Sequence, residues 1–526
     1  MKKTLYIILI LLISLPGFIA RFSNKPDFDL SGENQIGVLK PQINLKSFIN
    51  NEMQDSIESY FSNNSGFRGF VIRTFNQIDY SFFNTAHGDK AIIAKNKILL
   101  DEWYINAWLG RTYIGDDAIN SKLYKIKMVQ DTLTKKGIKF LFILEPDKAT
   151  FYEDKIPHRI KILKQEKTNY KQIAIRSKEI NINYLDLQKY FLEIKDTCKF
   201  PLYPKSGIHW STYGSYIALN KMTERIEQEL NTDLNDIYWK SSIVSHHSEG
   251  IDYDLGRNIN ILFPIHQPLM RYPQLEFENN SNKKKPNMIV VGDSYYFNQY
   301  NTKFTYSLFN NNDFWYYNKT VYPDTYLKGK TTVQDINWIQ RVEQQDIILL
   351  MVTSRFMHTI DWLFIDKLFT HYYPNLKWSN IDSEISKIQN DDPWFYKIMD
   401  KAEKSNIPLS IQKDLDAEYV RDKKATNQYR TIKSYIDEIK ASPKWLKIIK
   451  NKAKQNRILE KDQIIKDAIY MAKHQTPQTN HKELEQIISD IKSDSKWYNK
   501  ICKKATQNNI SIEQQLKIDA EWVLNN

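Results

Sequence analysis

The chain has 526 residues, of which 41% are hydrophobic and 13% aromatic, enough for one large core and a second, smaller one. Its two cysteines, Cys198 and Cys502, are far apart, so we expect stability from packing and not from a disulfide. The net charge of +12 is carried by scattered lysines, without clustered arginines or a nucleic-acid-binding motif. We therefore expect no nucleic-acid partner.

The first 22 residues have the pattern of a signal anchor or a signal peptide. Met1-Lys2-Lys3 is basic, and residues 4–20 carry no charge and are dominated by Leu and Ile. Only Ala20 resembles part of a cleavage site, which favours an uncleaved membrane anchor. Either alternative places the rest of the chain outside the cytoplasm. We expect it at the periplasmic side of the cell membrane, or in the periplasm if the segment is cleaved.

Residues 23–90 are predicted to form a linker followed by N-terminal helices. No hydrophobic period is present over residues 28–46, whereas residues 47–83 carry helical spacing. The apolar groups at 91–94 and 98–100, separated by Lys95-Asn96-Lys97, predict a small hairpin at the entry of the main domain.

Residues 91–375 alternate between helical and strand patterns, which is typical of an α/β sheet. The predicted strands are 138–144, 182–187, 288–291, 313–317 and 346–352, and the predicted helices are 121–136, 163–178 and 216–230. This pattern predicts a three-layer α/β domain. No Gly-x-Gly-x-x-Gly or Walker loop is present, so we expect no nucleotide and no other cofactor.

The strand at 288–291 leads directly into Gly292-Asp293-Ser294. Ligands of α/β sheets bind at the carboxyl ends of the strands, where such turns lie. A serine there can expose its hydroxyl while its own N–H faces the same space. Ser294 is therefore a candidate nucleophile, and its backbone N–H a candidate oxyanion donor. The alternative is an ordinary turn, which all three residue types favour.

A second candidate is His209, which lies between Gly207 and Trp210 in a loop before the 216–230 helix. Histidine is the usual base for a serine nucleophile because its pKa lies near neutrality. The alternative is a structural histidine that caps the helix. We expect no metal site, because His246-His247 lacks further ligands at suitable spacing.

The order of His209-Trp210 and Gly292-Asp293-Ser294, behind an N-terminal apolar segment, resembles the alginate O-acetyltransferase group of exported SGNH-hydrolase-like proteins. Glu145-Pro146-Asp147-Lys148 and Asp252-Tyr253-Asp254-Leu255 also resemble segments of that group. The resemblance covers about residues 61–368. It implies an SGNH-hydrolase-like fold, a serine nucleophile at 294 and a histidine base at 209.

The sequence departs from the family pattern at one position. In Asp-x-His-Trp the aspartate orients the histidine, but here Gly207 occupies its place. Either a backbone carbonyl accepts the Nδ1 proton of His209, or a distant carboxylate such as Asp147 or Asp254 does so. The carbonyl needs no distant residue. We therefore expect a Ser294–His209 dyad, and expect Gly207→Asp to raise activity or leave it unchanged.

Residues 381–526 contain three copies of one pattern, anchored on Trp394, Trp445 and Trp497, which are 51 and 52 residues apart. Ile at plus four, Ala at plus eight, Ile at plus thirteen, Asp-Ala at plus twenty-two and an aromatic residue at plus twenty-five recur in each copy. This spacing predicts three helical-hairpin repeats that serve in interaction or spacing. Core packing of the tryptophans is favoured over a glycan-stacking row.

The predicted function is an exported polysaccharide O-acetyltransferase that works through an acyl-enzyme on Ser294, with His209 as base. Its expected partners are a polysaccharide substrate and a membrane protein that donates the acyl group. Tyr300 is a candidate glycan contact, with a packing tyrosine as the alternative. Two other functions stay open: a catalytically inactive SGNH-like glycan-binding scaffold, favoured by the missing aspartate, and a carbohydrate acetyl esterase.

Overall fold

The computed structural model describes residues 52–64, 68–88, 90–248, 250–302, 304–311, 313–376, 380–424, 430–456, 458–474, 481–508 and 511–525, with a few single positions before residue 52. The chain divides into two compact units, Met1–Tyr373 and Pro374–Asn526. None of the helices within these described ranges is both long and apolar enough to cross a membrane. The predicted signal or anchor at residues 1–22 lies largely outside the described residues.

The N-terminal elements follow the predicted pattern. Two helices, α1 (Glu52–Asn64) and α2 (Arg68–Ile78), precede a hairpin of β1 (Ala91–Ile93) and β2 (Leu99–Asp101). The two strands are antiparallel, with Ile92 opposite Leu100, so the predicted hairpin is confirmed.

The main domain is built on a six-stranded sheet. In spatial order its strands are β4 (Tyr184–Asp186), β3 (Lys139–Leu144), β10 (Ile347–Val352), β7 (Met288–Gly292), β8 (Asp313–Tyr316) and β9 (Thr320–Tyr322). The first five run parallel, and β9 pairs antiparallel with β8. All five strands predicted for this sheet are present, and only the three-residue β9 was missed.

Successive residues of β7 and β10 are all buried, so both faces of the sheet are covered. The helices of this unit are α3 (Glu102–Leu109), α4 (Asp116–Lys135), α5 (Lys148–Phe151), α6 (His158–Lys161), α7 (Asn169–Glu179), α8 (Leu187–Ile194), α9 (Thr212–Leu230), α10 (Asp254–Asn258), α11 (Phe297–Tyr300), α12 (Phe304–Leu308), α13 (Asp324–Lys328), α14 (Trp338–Glu343) and α15 (Phe364–Tyr372). This arrangement confirms the α/β class.

One helix begins later than predicted. The 163–178 pattern becomes α7, which starts after Thr168, because the Thr168 side chain accepts a hydrogen bond from the Lys171 N–H and caps the helix.

A third sheet, of two strands, was missed in the sequence. β5 (Ile237–Ser245) and β6 (Met270–Phe277) form a long antiparallel ribbon. Many of its residues are exposed, and Pro273 lies within β6, so neither strand has the apolar run of a core strand. The chain between the two strands contains α10, and this excursion carries Asp254 to the main sheet.

The second unit contains three helices in each repeat. Their bounds are α16 (Asn380–Gln389), α17 (Asp392–Lys404) and α18 (Leu409–Lys424), then α19 (Ile432–Ala441), α20 (Pro443–Asn456) and α21 (Glu460–His474), then α22 (His481–Ser493), α23 (Ser495–Asn508) and α24 (Ile512–Asn525). The predicted hairpin is the last two helices of each set. The first helix packs against the third in every repeat, so the predicted unit lacked one helix.

The recurring positions of the repeat have distinct roles. The alanines at plus eight and in the Asp-Ala pairs are buried. The aspartate of each Asp-Ala pair forms an ion pair with a lysine of the preceding helix. These ion pairs are Lys401–Asp416 at 2.6 Å, Lys452–Asp467 at 2.7 Å and Lys504–Asp519 at 2.7 Å. Trp497 packs on the buried cluster of the third repeat, which supports the core-packing interpretation there. By contrast, Tyr419 and Tyr470 at plus twenty-five are 67% and 64% exposed, so they are not part of the packed interior of their repeats.

Candidate active site

Ser294 lies at the carboxyl end of the buried strand β7 and begins a short 3₁₀ turn over residues 294–296. The preceding Asp293 holds this turn in place. Its buried carboxylate accepts hydrogen bonds from the Tyr295 N–H at 3.0 Å, the Thr353 N–H at 3.0 Å and the Thr353 hydroxyl at 2.7 Å. Because Thr353 directly follows β10, Asp293 fastens the serine turn to the neighbouring strand.

His209 and Asp254 complete a chain of hydrogen bonds with Ser294. The Ser294 Oγ donates to His209 Nε2 over 3.0 Å, and His209 Nδ1 donates to Asp254 Oδ2 over 3.0 Å. The His209 and Asp254 side chains are 16% and 23% exposed, so the group is largely enclosed but reachable from solvent. The structure thus brings both sequence-predicted residues, Ser294 and His209, into contact.

The expected dyad is wrong, because a carboxylate and not a backbone carbonyl faces Nδ1 of His209. Two backbone donors fix the orientation of Asp254, whose Oδ1 accepts from the Ile208 N–H at 2.8 Å and from the Leu255 N–H at 2.6 Å. The other candidate, Asp147, caps α5 through the Thr150 N–H and hydroxyl. Of the two distant carboxylates that the sequence allowed, the structure selects Asp254.

The space around Gly207 reverses the effect that we expect of Gly207→Asp. A Cβ on Gly207 would lie 2.8 Å from Pro204 Cγ and 3.0 Å from the carbonyl oxygens of Asp252 and Ile251. Contacts of this kind force backbone to move, and the backbone in question leads to Asp254. We expect Gly207→Asp to slow acylation of Ser294 by about tenfold or more, because small displacements of a catalytic group are costly.

Gly207→Ala is the matched variant, since it adds the Cβ without the carboxylate. If packing decides, both variants are slow in a single-turnover acylation assay. A fast Gly207→Asp beside a slow Gly207→Ala would show that a carboxylate at position 207 can be used.

Aromatic packing fixes the plane of the histidine ring. The Tyr295 ring lies 4.8 Å from the His209 ring and 5.2 Å from the Trp210 ring, centroid to centroid. The Tyr295 hydroxyl donates to the Ile208 carbonyl at 3.0 Å. Tyr295 and Trp210 are fully buried, so the residue after Ser294 and the residue after His209 pack on each other. Sequence reasoning assigned Tyr295 no role.

Two further carboxyl groups lie beneath the serine turn. Burial raises the pKa of Asp293, while its hydrogen bonds from Tyr295 and Thr353 oppose that rise. Burial, and then the negative charge of Asp293, raise the pKa of Glu145 well above its usual range. Glu145 therefore favours the neutral form. The three hydrogen bonds that Asp293 accepts favour its ionised form and so oppose the effect of burial.

The remaining candidates are placed as follows. Within the described chain no oxygen accepts a hydrogen bond from the Ser294 N–H, so this donor is available to a ligand. Tyr300 is 6% exposed and packs with Phe314 and Tyr322, which favours the packing alternative over glycan contact. His246 stacks on His266, and no group of potential metal ligands occurs among the residues that the structure describes.

The α/β unit also matches a known family. Residues 101–310 match the SGNH hydrolase-like domain of the acetyltransferase AlgX family. This part of the chain is similar to the SGNH hydrolase-like domain of AlgX. The match contains His209, Asp254 and Ser294, and it confirms the family resemblance seen in the sequence. The AlgX family is one of acetyltransferases.

Three solved structures match part of this chain at low similarity. The O-acetyltransferase domain of Pseudomonas putida AlgJ has 15% identity and a TM-score of 0.36, covering 53% of this chain and 99% of that one. Pseudomonas aeruginosa AlgX has 12% identity and a TM-score of 0.36, covering 55% and 68%. Bacillus cereus PatB1 has 15% identity and a TM-score of 0.30, covering 51% and 97%. A search of curated protein sequences finds no significant match.

Proposed function

We propose that the chain is an O-acetyltransferase that moves an acetyl group to a polysaccharide hydroxyl through an acetyl-enzyme on Ser294. The observation that carries this proposal is the continuous hydrogen-bonded series from Ser294 through His209 to Asp254. A nucleophile, a base and an orienting carboxylate in this order form a working acyl-transfer triad on unrelated folds.

In the first half-reaction, His209 Nε2 takes the hydroxyl proton while Ser294 Oγ attacks the acetyl carbonyl carbon. The charge that develops on the histidine ring is balanced by Asp254, which also holds the ring in the tautomer with hydrogen on Nδ1. The negative charge that develops on the carbonyl oxygen needs a donor, and the unengaged Ser294 N–H is suitably placed on the nucleophile itself. The histidinium then protonates the leaving group.

In the second half-reaction, His209 removes the proton of a sugar hydroxyl, which attacks the acetyl-enzyme and releases Ser294. A water molecule in the same position would instead hydrolyse the intermediate, which is the esterase alternative. The acetyltransferase family of the matched domain favours transfer. The inactive-scaffold alternative rested on the aspartate missing at position 207, and Asp254 supplies a carboxylate in its place.

The expected setting of this reaction is the periplasmic side of the cell membrane, with the N-terminal segment as anchor. The support is the basic and apolar pattern of residues 1–20. In that setting a membrane protein would deliver the acetyl group, and an exported polysaccharide would receive it.

The deciding experiment is mass spectrometry after incubation with an activated acetyl ester such as 4-nitrophenyl acetate. We expect a mass increase of one acetyl group on the peptide that contains Ser294, and its loss when an oligosaccharide acceptor is added. Acetylated acceptor indicates transfer, whereas acetate alone indicates hydrolysis. An unmodified Ser294 peptide would contradict the acyl-enzyme mechanism.

A further inference from the structure

The triad described above makes no use of a buried lysine at the first position of α5. Lys148 is 3% exposed, in a domain whose other charged side chains mostly reach solvent. Its Nζ donates to the carbonyl oxygen of Gly207 at 2.7 Å and to that of Lys205 at 2.9 Å. Both acceptors lie in the loop that ends at His209. The lysine therefore joins the carboxyl end of β3 to the histidine loop.

This ammonium group is costly to bury. Burial lowers the pKa of Lys148 to about 7, and the negative charges of Asp254 and then Asp252 oppose that effect. Burial likewise raises the pKa of Asp252 to about 7. Buried charges with this penalty are poor contributors to stability, because an apolar side chain of similar volume would avoid the desolvation cost. The presence of a lysine at this position therefore suggests a role other than stabilising the fold.

We propose that Lys148 is a positioning residue for the triad, fixing the backbone of residues 205–207 so that His209 meets both Ser294 and Asp254. The inference rests on the proposed function. Its structural basis is the next residue, Ile208, which follows the two bound carbonyls. The Ile208 N–H donates to Asp254 Oδ1 and its carbonyl accepts from Tyr295. Ile208 thus contacts both Asp254 and Tyr295. A shift of the loop would therefore disturb the carboxylate that faces His209 and the aromatic ring that packs on it.

Lys148 also contributes charge. The ionisable groups that face it are Asp252 and Asp254, both from the segment before and at the start of α10. Asp254 in turn contacts His209. Removing the positive charge near this pair leaves more negative charge beside the ring, which favours the protonated, unreactive histidine. A purely structural lysine would have no such effect on the pH dependence of acylation.

The test compares Lys148→Met, Lys148→Arg and the control Lys195→Met. Lys195 also donates to a carbonyl of α5, that of Phe151 at 2.6 Å, but it does not contact the histidine loop. The rate of acetyl-adduct formation on the Ser294 peptide is measured from pH 5 to pH 9 with 4-nitrophenyl acetate. Thermal unfolding shows whether each variant folds.

We expect Lys148→Met to slow acylation by about 10- to 100-fold, as for a misplaced catalytic group, and to move the acid limb of the profile to higher pH. Lys148→Arg keeps the charge but not the contact geometry, so it should be slower with an unmoved acid limb. Lys195→Met should match the wild type. A folded Lys148→Met with the wild-type rate and profile would overturn the inference. If Lys148→Met does not fold, a wild-type rate for Lys148→Arg would overturn it.

A second readout does not depend on activity. Hydrogen exchange of the peptide covering residues 205–209 should be faster in Lys148→Met or Lys148→Arg than in the wild type, and unchanged in Lys195→Met. If the wild type takes no acetyl group, the proposed function fails while this measurement still reports on the loop. Equal exchange in all four proteins would show that Lys148 does not hold the loop.

Discussion

Ser294→Ala is expected to abolish the acetyl adduct and to lower the rate of acetyl transfer by about 10⁵- to 10⁶-fold, the effect seen when a serine nucleophile is removed from a triad. The fold should survive. Among the residues that the structure describes, the hydroxyl forms a hydrogen bond with His209 alone, and the turn is held by Asp293 through backbone and threonine donors.

The matched control is Ser354→Ala. Ser354 also follows a central strand at the carboxyl edge of the sheet, and it is 6% exposed. Its loss should leave acetylation of the Ser294 peptide unchanged in the same mass-spectrometric assay. Continued acetylation of that peptide in Ser294→Ala would assign the acetyl group to a different residue and remove Ser294 from the mechanism.

Asp254→Asn is expected to lower the acylation rate by about 10³- to 10⁴-fold, since the amide keeps the size of the side chain but removes its charge. Asn also presents an N–H₂ group that can face Nδ1 and favour the wrong histidine tautomer. The measurement is the single-turnover rate of adduct formation at pH values above the acid limb, so that protonation of His209 does not mask the effect.

Asp147→Asn is the control for this variant, because Asp147 is the other carboxylate that the sequence allowed as a partner. Its side chain accepts from Thr150 at a helix start, a position where asparagine is also a good cap. We expect little change in rate. If Asp254→Asn kept the wild-type rate, His209 would work without a carboxylate, and the predicted Ser294–His209 dyad would be the correct description of the site.

The central sheet could be predicted because its strands are buried on both faces. Val290 and Val291 point to opposite sides of β7 and are both fully buried, so the strand appears in the sequence as an unbroken apolar run. The ribbon of β5 and β6 has the opposite character. Exposed residues and Pro273 interrupt it, and its pairing joins segments whose closest residues are 25 positions apart, so no local pattern marks it.

The site could be predicted in part for a similar reason. Ser294 and His209 each lie in a recognisable local pattern, whereas the acid is fixed only by a tertiary contact across 45 residues. Asp147 and Asp254 are both turn aspartates in the sequence. Only the fold shows that Asp147 accepts a hydrogen bond from the Thr150 N–H, whereas Asp254 accepts one from the Ile208 N–H beside His209. The segment that contains Lys148 was recognised in the sequence, but the sequence did not show that this lysine is buried.

The carboxylate of this site reaches the histidine from a separate excursion of the chain, while a side chain at the position two residues before the histidine would require its neighbours to shift. A survey that requires an aspartate at that position would classify such a chain as a pseudoenzyme. Surveys of exported acyltransferases should therefore ask whether any carboxylate can reach Nδ1, and should treat a glycine at that position as a cue to look for a relocated acid. Divergent members of such families can then be classified by whether a carboxylate lies within reach of the histidine in the folded structure, instead of by the spacing of residues in the sequence.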